Sequence, residues 1–176
     1  MAKIVHWGDR NFDHPYPVDF FPELLVRLRG TPVRGDEITR GISPSELLTR
    51  KPAERKWSAQ EHLGHLADLE YLWHARIQDY LNGAESLTPG DPSNKKTNTA
   101  NHNASPLREI IAQFRNYRRQ TTQLLDRLAP SDWDRVATHP QYGPIRLADM
   151  FYRVAEHDDH HLATIYNLVH PAHTGV

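Results

Sequence analysis

Three stretches of this chain, 59–81, 105–128 and 146–169, repeat apolar residues at helical spacing, while no segment shows the strict alternation of a half-buried strand bounded by hairpin turns. That pattern predicts an all-α fold. Ser58-Ala59-Gln60-Glu61 is a capping-box sequence opening the first stretch. Ser105-Pro106 opens the second, with a stripe of Leu107, Ile110, Ile111, Phe114, Tyr117, Leu124, Leu125 and Leu128, and Ala129-Pro130 stops it. The third runs from about Arg146 to Val169, where His170-Pro171 ends it. Upstream, Val18 to Gly30 has helical spacing ended by Gly30, Thr31-Pro32 opens a second segment to about Gly41, and Ser43-Pro44 opens a short one with Leu47 and Leu48. The amino-terminal third therefore reads as helical but broken.

One helical segment near the amino end and three long ones make a four-helix bundle. Residues 1–17 read as an irregular amino-terminal segment. Gly83 to Ala104, rich in Asn, Thr, Pro, Ser and Gly, reads as a long polar loop, and Pro130 to about Ile145 as a second connection. Connections of this length permit parallel as well as antiparallel neighbours. At 176 residues, with no internal repeat, the chain fits a single domain over 1–176.

Composition narrows the chemistry. With 21 Lys and Arg against 22 Asp and Glu, there is no positive excess to neutralise a run of phosphates, so nucleic acid is not expected as a partner. No apolar run approaches the roughly 20 residues that cross a bilayer, and the first residues lack a signal-peptide core, so a cytoplasmic protein without a membrane partner is expected. The absence of cysteine excludes disulfides, thiolate metal sites and a thiol nucleophile of the protein's own. Twelve histidines remain, the side chain best suited to binding metal and moving protons near neutral pH.

Their rotation about the helix axes sorts them. With about 100° per residue and Met150 as zero, His157 falls near −20° and His161 near +20°, inside the stripe of Leu147, Val154, Ile165 and Leu168. His160, near −80°, belongs to the polar flank. Two imidazoles one turn apart on a buried face can bite one metal ion, which would satisfy ring nitrogens otherwise costly to desolvate. On the second helix His65 and His62 share the apolar face while His74 points outward, and rotation alone does not choose between the first two.

Lys56-Trp57-Ser58-Ala59-Gln60-Glu61-His62-Leu63-Gly64-His65-Leu66-Ala67-Asp68, followed by Glu70 and Arg76, resembles the second-helix signature of the DinB/YfiT-like superfamily. Ala155-Glu156-His157-Asp158-Asp159-His160-His161-Leu162-Ala163-Thr164-Ile165 resembles its last-helix signature, and His139-Pro140-Gln141-Tyr142-Gly143 is similar to the approach to that helix. The resemblance spans about Leu24 to Leu168. It implies a four-helix bundle, commonly a homodimer, holding a divalent metal through His65, His157 and His161. The Asn/Thr-rich loop 83–104 departs from YfiT-like members.

Three neutral imidazoles on a tetrahedral ion leave one position open, as in catalytic rather than structural sites. Such an ion lowers the pKa of bound water toward about 7 for hydrolysis, or holds an external low-molecular-weight thiol as thiolate for transfer to an electrophile. The resemblance favours thiol transfer, since relatives include thiol S-transferases. Imidazoles suit zinc first, then nickel. The expected function is thus a metal-dependent transferase or hydrolase acting on a small molecule, with a non-catalytic metal- or ligand-binding stress protein, and a metal-free helical interaction module, as alternatives. Asp158 is a candidate for orienting an imidazole or pairing with an arginine. Arg76 is a candidate for binding an anionic part of the substrate or closing a salt bridge, and His139 with Tyr142 for lining the pocket mouth. Trp57 and Trp73 are expected in the core.

Overall fold

A computed structural model describes residues 4–12, 14–49 and 56–170. Its helices are α1 (Phe21–Thr39), α2 (Pro44–Leu48), α3 (Ala59–Asp68), α4 (Glu70–Leu81), α5 (Lys95–Thr99), α6 (Leu107–Leu125) and α7 (Leu147–Val169). A hairpin of β1 (Val136–His139) and β2 (Gly143–Arg146) precedes α7. No helix among the described residues is long and apolar enough to cross a membrane. The carboxyl-terminal stop predicted at His170-Pro171 lies half outside the described residues, with α7 ending at Val169.

Side-chain pairs orient the bundle. Arg27 and Arg34 on α1 both reach Asp159, Thr31 donates to Asp158 at 2.7 Å, and Ile38 O lies 3.3 Å from His170 Nε2, so α1 and α7 run parallel. Leu66 and Ala67 pack on Phe114 while Glu70 meets Arg118 and Thr121, so α3–α4 runs parallel to α6. Between the pairs the direction reverses: Leu63 packs with Leu162 and Ile165 at one end, and Leu72 and Ile77 with Met150 and Phe151 at the other. Two parallel neighbours joined in sequence, α4 and α6, need a connection that returns along the bundle, which accounts for the length of 82–106.

Several elements differ from their sequence reading. Helix α1 is continuous through Gly30, Thr31 and Pro32. Proline at 32 cannot bond the carbonyl of Leu28, and such a loss ordinarily breaks a helix; here that oxygen accepts from Arg118 Nη1 at 2.9 Å, so the missing bond is replaced from α6. The stretch 59–81 divides at Leu69, whose backbone stays right-handed (φ −77°, ψ −14°), where Glu70 turns inward toward Arg118. Both bonds of the Ser58–Glu61 capping box are present. Loop 83–104 contains α5 and a 3-10 turn at His102–Ala104. The connection before α7 carries the unpredicted hairpin, hidden because the inward residues of β1 are Ala137 and His139 rather than large apolar ones. Gly143, opposite His139, supplies the positive φ of +74° that its turn requires.

Among the described residues the core comes in two large apolar parts and a small cluster of Leu66, Ala67 and Phe114. The first gathers Leu24, Leu28, Trp73, Ile77, Tyr80, Phe151 and Val154; the second Leu47, Ala59, Leu63, Ile110, Ile165 and Val169. Between them lies a polar layer. Arg118 is fully buried between the carboxylates of Glu70 and Asp158, with Thr31 and Thr121 completing the hydrogen bonds. Tyr117, expected on the buried stripe of α6, is exposed, and Arg118 takes the inward position. A buried charge is tolerable only when paired and hydrogen-bonded on all sides, which this layer achieves.

Candidate metal centre

At the edge of that polar layer, one ring nitrogen from each of His65, His157 and His161 lies within 4.8 Å of the other two. Helix α3 supplies the first from its last turn, and the middle of α7 supplies the pair one turn apart. Nε2 of His157 and Nε2 of His161 stand 3.1 Å from each other. Two nitrogens each about 2.1 Å from a shared ion would be separated by roughly 3 to 3.4 Å, so this pair has the bite of a chelate. Nδ1 of His157 is buried and without a hydrogen-bond partner.

Neighbouring side chains set which nitrogen of each ring is available. His65 Nδ1 lies 3.1 Å from Thr97 Oγ1, which is itself 3.1 Å from Asp68 Oδ2. A carboxylate only accepts, so the single hydroxyl proton of Thr97 goes to Asp68 and Thr97 accepts from His65 Nδ1–H. The lone pair of His65 is thereby left on Nε2. Asp68 is anchored further by His102 Nε2 at 2.8 Å and Lys96 Nζ at 3.5 Å. Burial alone would raise the Asp68 carboxyl, but the hydrogen bonds from His102 and Thr97 and the charge of Lys96 outweigh it and hold the group below its ordinary range. Behind His161, Nδ1 meets Nδ1 of His62 at 2.7 Å.

All four imidazoles are neutral at pH 7. Burial, reinforced by neighbouring imidazoles, pushes His62 down to about 4, His65 to about 2 and His157 to about 3, with His161 also held well below its usual value. Neutral rings keep the lone pairs that a cation needs. The donor set and its spacing therefore fit a divalent ion of the borderline kind that imidazole prefers.

The remaining residues singled out in the sequence fall elsewhere. Asp158 is fully buried, and its oxygens are taken by Arg118 and Thr31. Arg76 and His139 gather with Tyr142 near the amino end of α7. His160 is half-buried beneath Trp7, with ring centres 6.0 Å apart, and the edge of Trp7 packs on His157 at 5.1 Å. His74, expected toward solvent, is half-buried against α6 with Nε2 unpartnered. Trp73 is in the core, but Trp57 is not: it forms a wall of the histidine cluster, 4.5 Å from the His65 ring and 6.1 Å from that of His161, with its indole N–H held by Asn98 at 2.9 Å.

Sequence reasoning does not single out Thr97 or His102, and it includes Asp68 only as the last residue of the second-helix signature, without a role. Thr97 sits in the polar loop, which Gln60 pins to α3 by donating to the carbonyls of His102 and Ser105 at 2.6 and 2.7 Å. The local signals were Asp91, which accepts from Lys95 N at 2.8 Å, and Asn94 and Asn101, whose φ of 51° and 52° bracket α5. Two surface grooves, about 400 Å3 along Pro22–Arg27 and about 330 Å3 between α1 and α7, do not touch the three histidines.

A family model of the DinB superfamily matches residues 27–165. Among solved structures the chain is similar to YfiT from Bacillus subtilis, described as a probable metal-dependent hydrolase with an unusual four-helix bundle topology, with a TM-score of 0.77 and 19% identity over 90% of this chain and 91% of that one. It is also similar to the mycothiol-dependent maleylpyruvate isomerase, with a TM-score of 0.67 and 11% identity over 86% of this chain and 62% of that one. No curated protein sequence matches.

Proposed function

The chain belongs to the DinB superfamily, and from that membership and its histidine geometry we propose that it is a divalent-metal-dependent enzyme acting on a small molecule, with His65, His157 and His161 as the ligands. The observation that carries this reading is the convergence of three neutral ring nitrogens from two helices. When bound, the ion would supply Lewis acidity at an open coordination position, activating either water for hydrolysis or an external low-molecular-weight thiol for transfer.

The chain's own residues prepare that position. Thr97 and Asp68 hold His65 in the tautomer with Nε2 free, and His62 offers its Nδ1 lone pair to His161 Nδ1–H, which leaves Nε2 of His161 for the ion. Arg118 holds Asp158, the residue after His157, turned away from the rings. Trp57 and Trp7 exclude water from two sides of the cluster. Thiol transfer is the preferred reaction, because the chain has no cysteine to serve as its own sulfur nucleophile and one structural neighbour is mycothiol-dependent. Zinc and then nickel are the preferred ions.

Metal analysis of protein purified without an affinity tag, followed by thiol-consumption and ester-hydrolysis assays over a panel of electrophiles, tests the reading. One equivalent of metal per chain, lost in His161→Ala, together with metal-dependent turnover is the expected result. Stoichiometric metal without turnover on any substrate makes the protein a binder. Metal content unchanged by His161→Ala removes the site altogether.

A further inference from the structure

Among the described residues, arginines that approach α7 are met by carboxylates, with two exceptions. Arg27 and Arg34 share Asp159, Arg118 lies between Glu70 and Asp158, and Arg146 has Asp134 and Asp149. Arg76 and Arg153 have no ion-pair partner among the described residues. Arg76 is only 4% exposed. Its Nε donates to Thr88 O at 3.0 Å, Nη1 approaches Met150 Sδ at 3.8 Å, and the guanidinium carbon stands 5.5 Å from the centre of the Trp73 ring. A thioether and an indole face compensate a buried cation poorly compared with a carboxylate.

Arg153 lies between two rings, 4.4 Å from the centre of Phe12 and 4.2 Å from that of Tyr142, with Nε donating to His14 Nε2 at 3.1 Å. Tyr142 stacks in turn on His139 at 4.4 Å and 17°. His139 is 7% exposed, and its Nδ1 accepts from Gln141 N at 3.1 Å, so its proton is on Nε2, a further donor. Burial first, then the positive charges of Arg76 and Arg153, push His139 down to about 4. Each guanidinium has its Nε engaged; the two terminal Nη atoms of Arg153, and Nη2 of Arg76 beside an Nη1 held only by the weak thioether contact, are the donors that match anionic oxygens. Exposed Gly90 passes over Arg76, where a Cβ would stand 3.7 Å from Nη2.

We infer that Arg76, Arg153 and His139, backed by Tyr142, form a seat for the oxyanion group of a small-molecule ligand, a carboxylate or a phosphate. Arg153 lies one turn, about 6 Å, before His157 on α7. A ligand held here by its anionic end has its other end within reach of the three histidines, a step that rests on the metal reading proposed above. The amino-terminal segment spans the same interval, with Trp7 on His157 and Phe12 on Arg153, and would roof such a ligand.

Calorimetric titration of the full-length, metal-loaded protein with acetate, succinate and inorganic phosphate tests the seat. Saturable binding of one anion per chain is expected, weakened about tenfold or more in Arg76→Gln and in Arg153→Gln; whether succinate or phosphate binds tighter identifies the oxyanion. Should Arg76→Gln fail to fold, Arg153→Gln decides, since that side chain is only half-buried over its two rings. His65→Ala is the control: it should take up no metal yet still bind the anion, which supports the seat independently of the ion, whereas undiminished metal uptake in His65→Ala overturns the metal reading and leaves the seat standing. No saturable binding at millimolar anion, or wild-type binding by folded Arg153→Gln, overturns the seat whatever the metal content.

Discussion

Nδ1 of His65 stands 3.1 Å from the hydroxyl of Thr97, a residue 32 positions away in a loop of otherwise polar, turn-forming sequence. The hydroxyl is the link between the imidazole and the Asp68 carboxylate. Thr97→Val keeps the shape and removes the link, so His65 loses the partner that holds its proton on Nδ1. Metal affinity is expected to fall roughly 10- to 100-fold, the usual cost of losing an orienting partner behind a ligating histidine. Competition with a chromophoric chelator measures it; unchanged affinity would show that the relay does not orient the ring.

His102 reaches Asp68 by lying against Gly64, where a Cβ would overlap its ring. In an ordinary helix interior, glycine to alanine stabilises by about 1 kcal/mol. Here the sign reverses: Gly64→Ala must displace the imidazole, with an expected net cost of about 1 to 3 kcal/mol in urea unfolding. A stabilised Gly64→Ala protein would mean that His102 is not held in this place.

The buried layer around Arg118 joins all the long helices. Arg118→Met would strand two carboxylates, Glu70 and Asp158, in the interior without their cation, at a cost of about 3 to 5 kcal/mol. It also removes the donor to Leu28 O and so exposes α1 to the break that Pro32 would otherwise cause. Denaturant midpoints measure the loss, and hydrogen exchange should show faster opening of α1 around Pro32 than of α3.

Metal removal should register in stability. A ligand bound only by the folded state at about 1,000 times its Kd adds about 4 kcal/mol. Chelator should therefore lower the Tm of the wild-type protein and leave that of His161→Ala unchanged. Equal responses of the two proteins would place the bound metal elsewhere.

Asp149 ties the amino-terminal segment to α7: it accepts from Tyr16 N at 2.6 Å and from Arg146 Nε at 2.8 Å. Burial alone would raise its carboxyl, but the Arg146 and Tyr16 hydrogen bonds outweigh it and hold the group below its ordinary range. A depressed carboxylate contributes stability that is complete above the unfolded value of about 3.9 and lost as pH falls through the folded value. Acidification through and below the ordinary carboxylate range should release the segment, read as a change in Trp7 fluorescence in a protein with the other tryptophans replaced by phenylalanine. Asp149→Asn should shift that transition.

Helical periodicity, capping sequences and the rotation of His157 and His161 about one axis were legible because each depends on residues within a few turns of one another. Rotation also set His160 apart and narrowed the second helix to His62 and His65. The same local reasoning misjudged Pro32 and Tyr117, because the donor that keeps α1 intact and the charge that displaces a tyrosine from the buried face belong to Arg118, 90 residues from Leu28. Only the packed bundle decided which histidine nitrogens face one another, that Thr97 and Asp68 stand behind His65, and that Asp158 turns to Arg118. Short-range order is written in the spacing of side chains along one helix, whereas the protonation and aim of a buried group follow from whatever other helices and loops bring within hydrogen-bond distance of it.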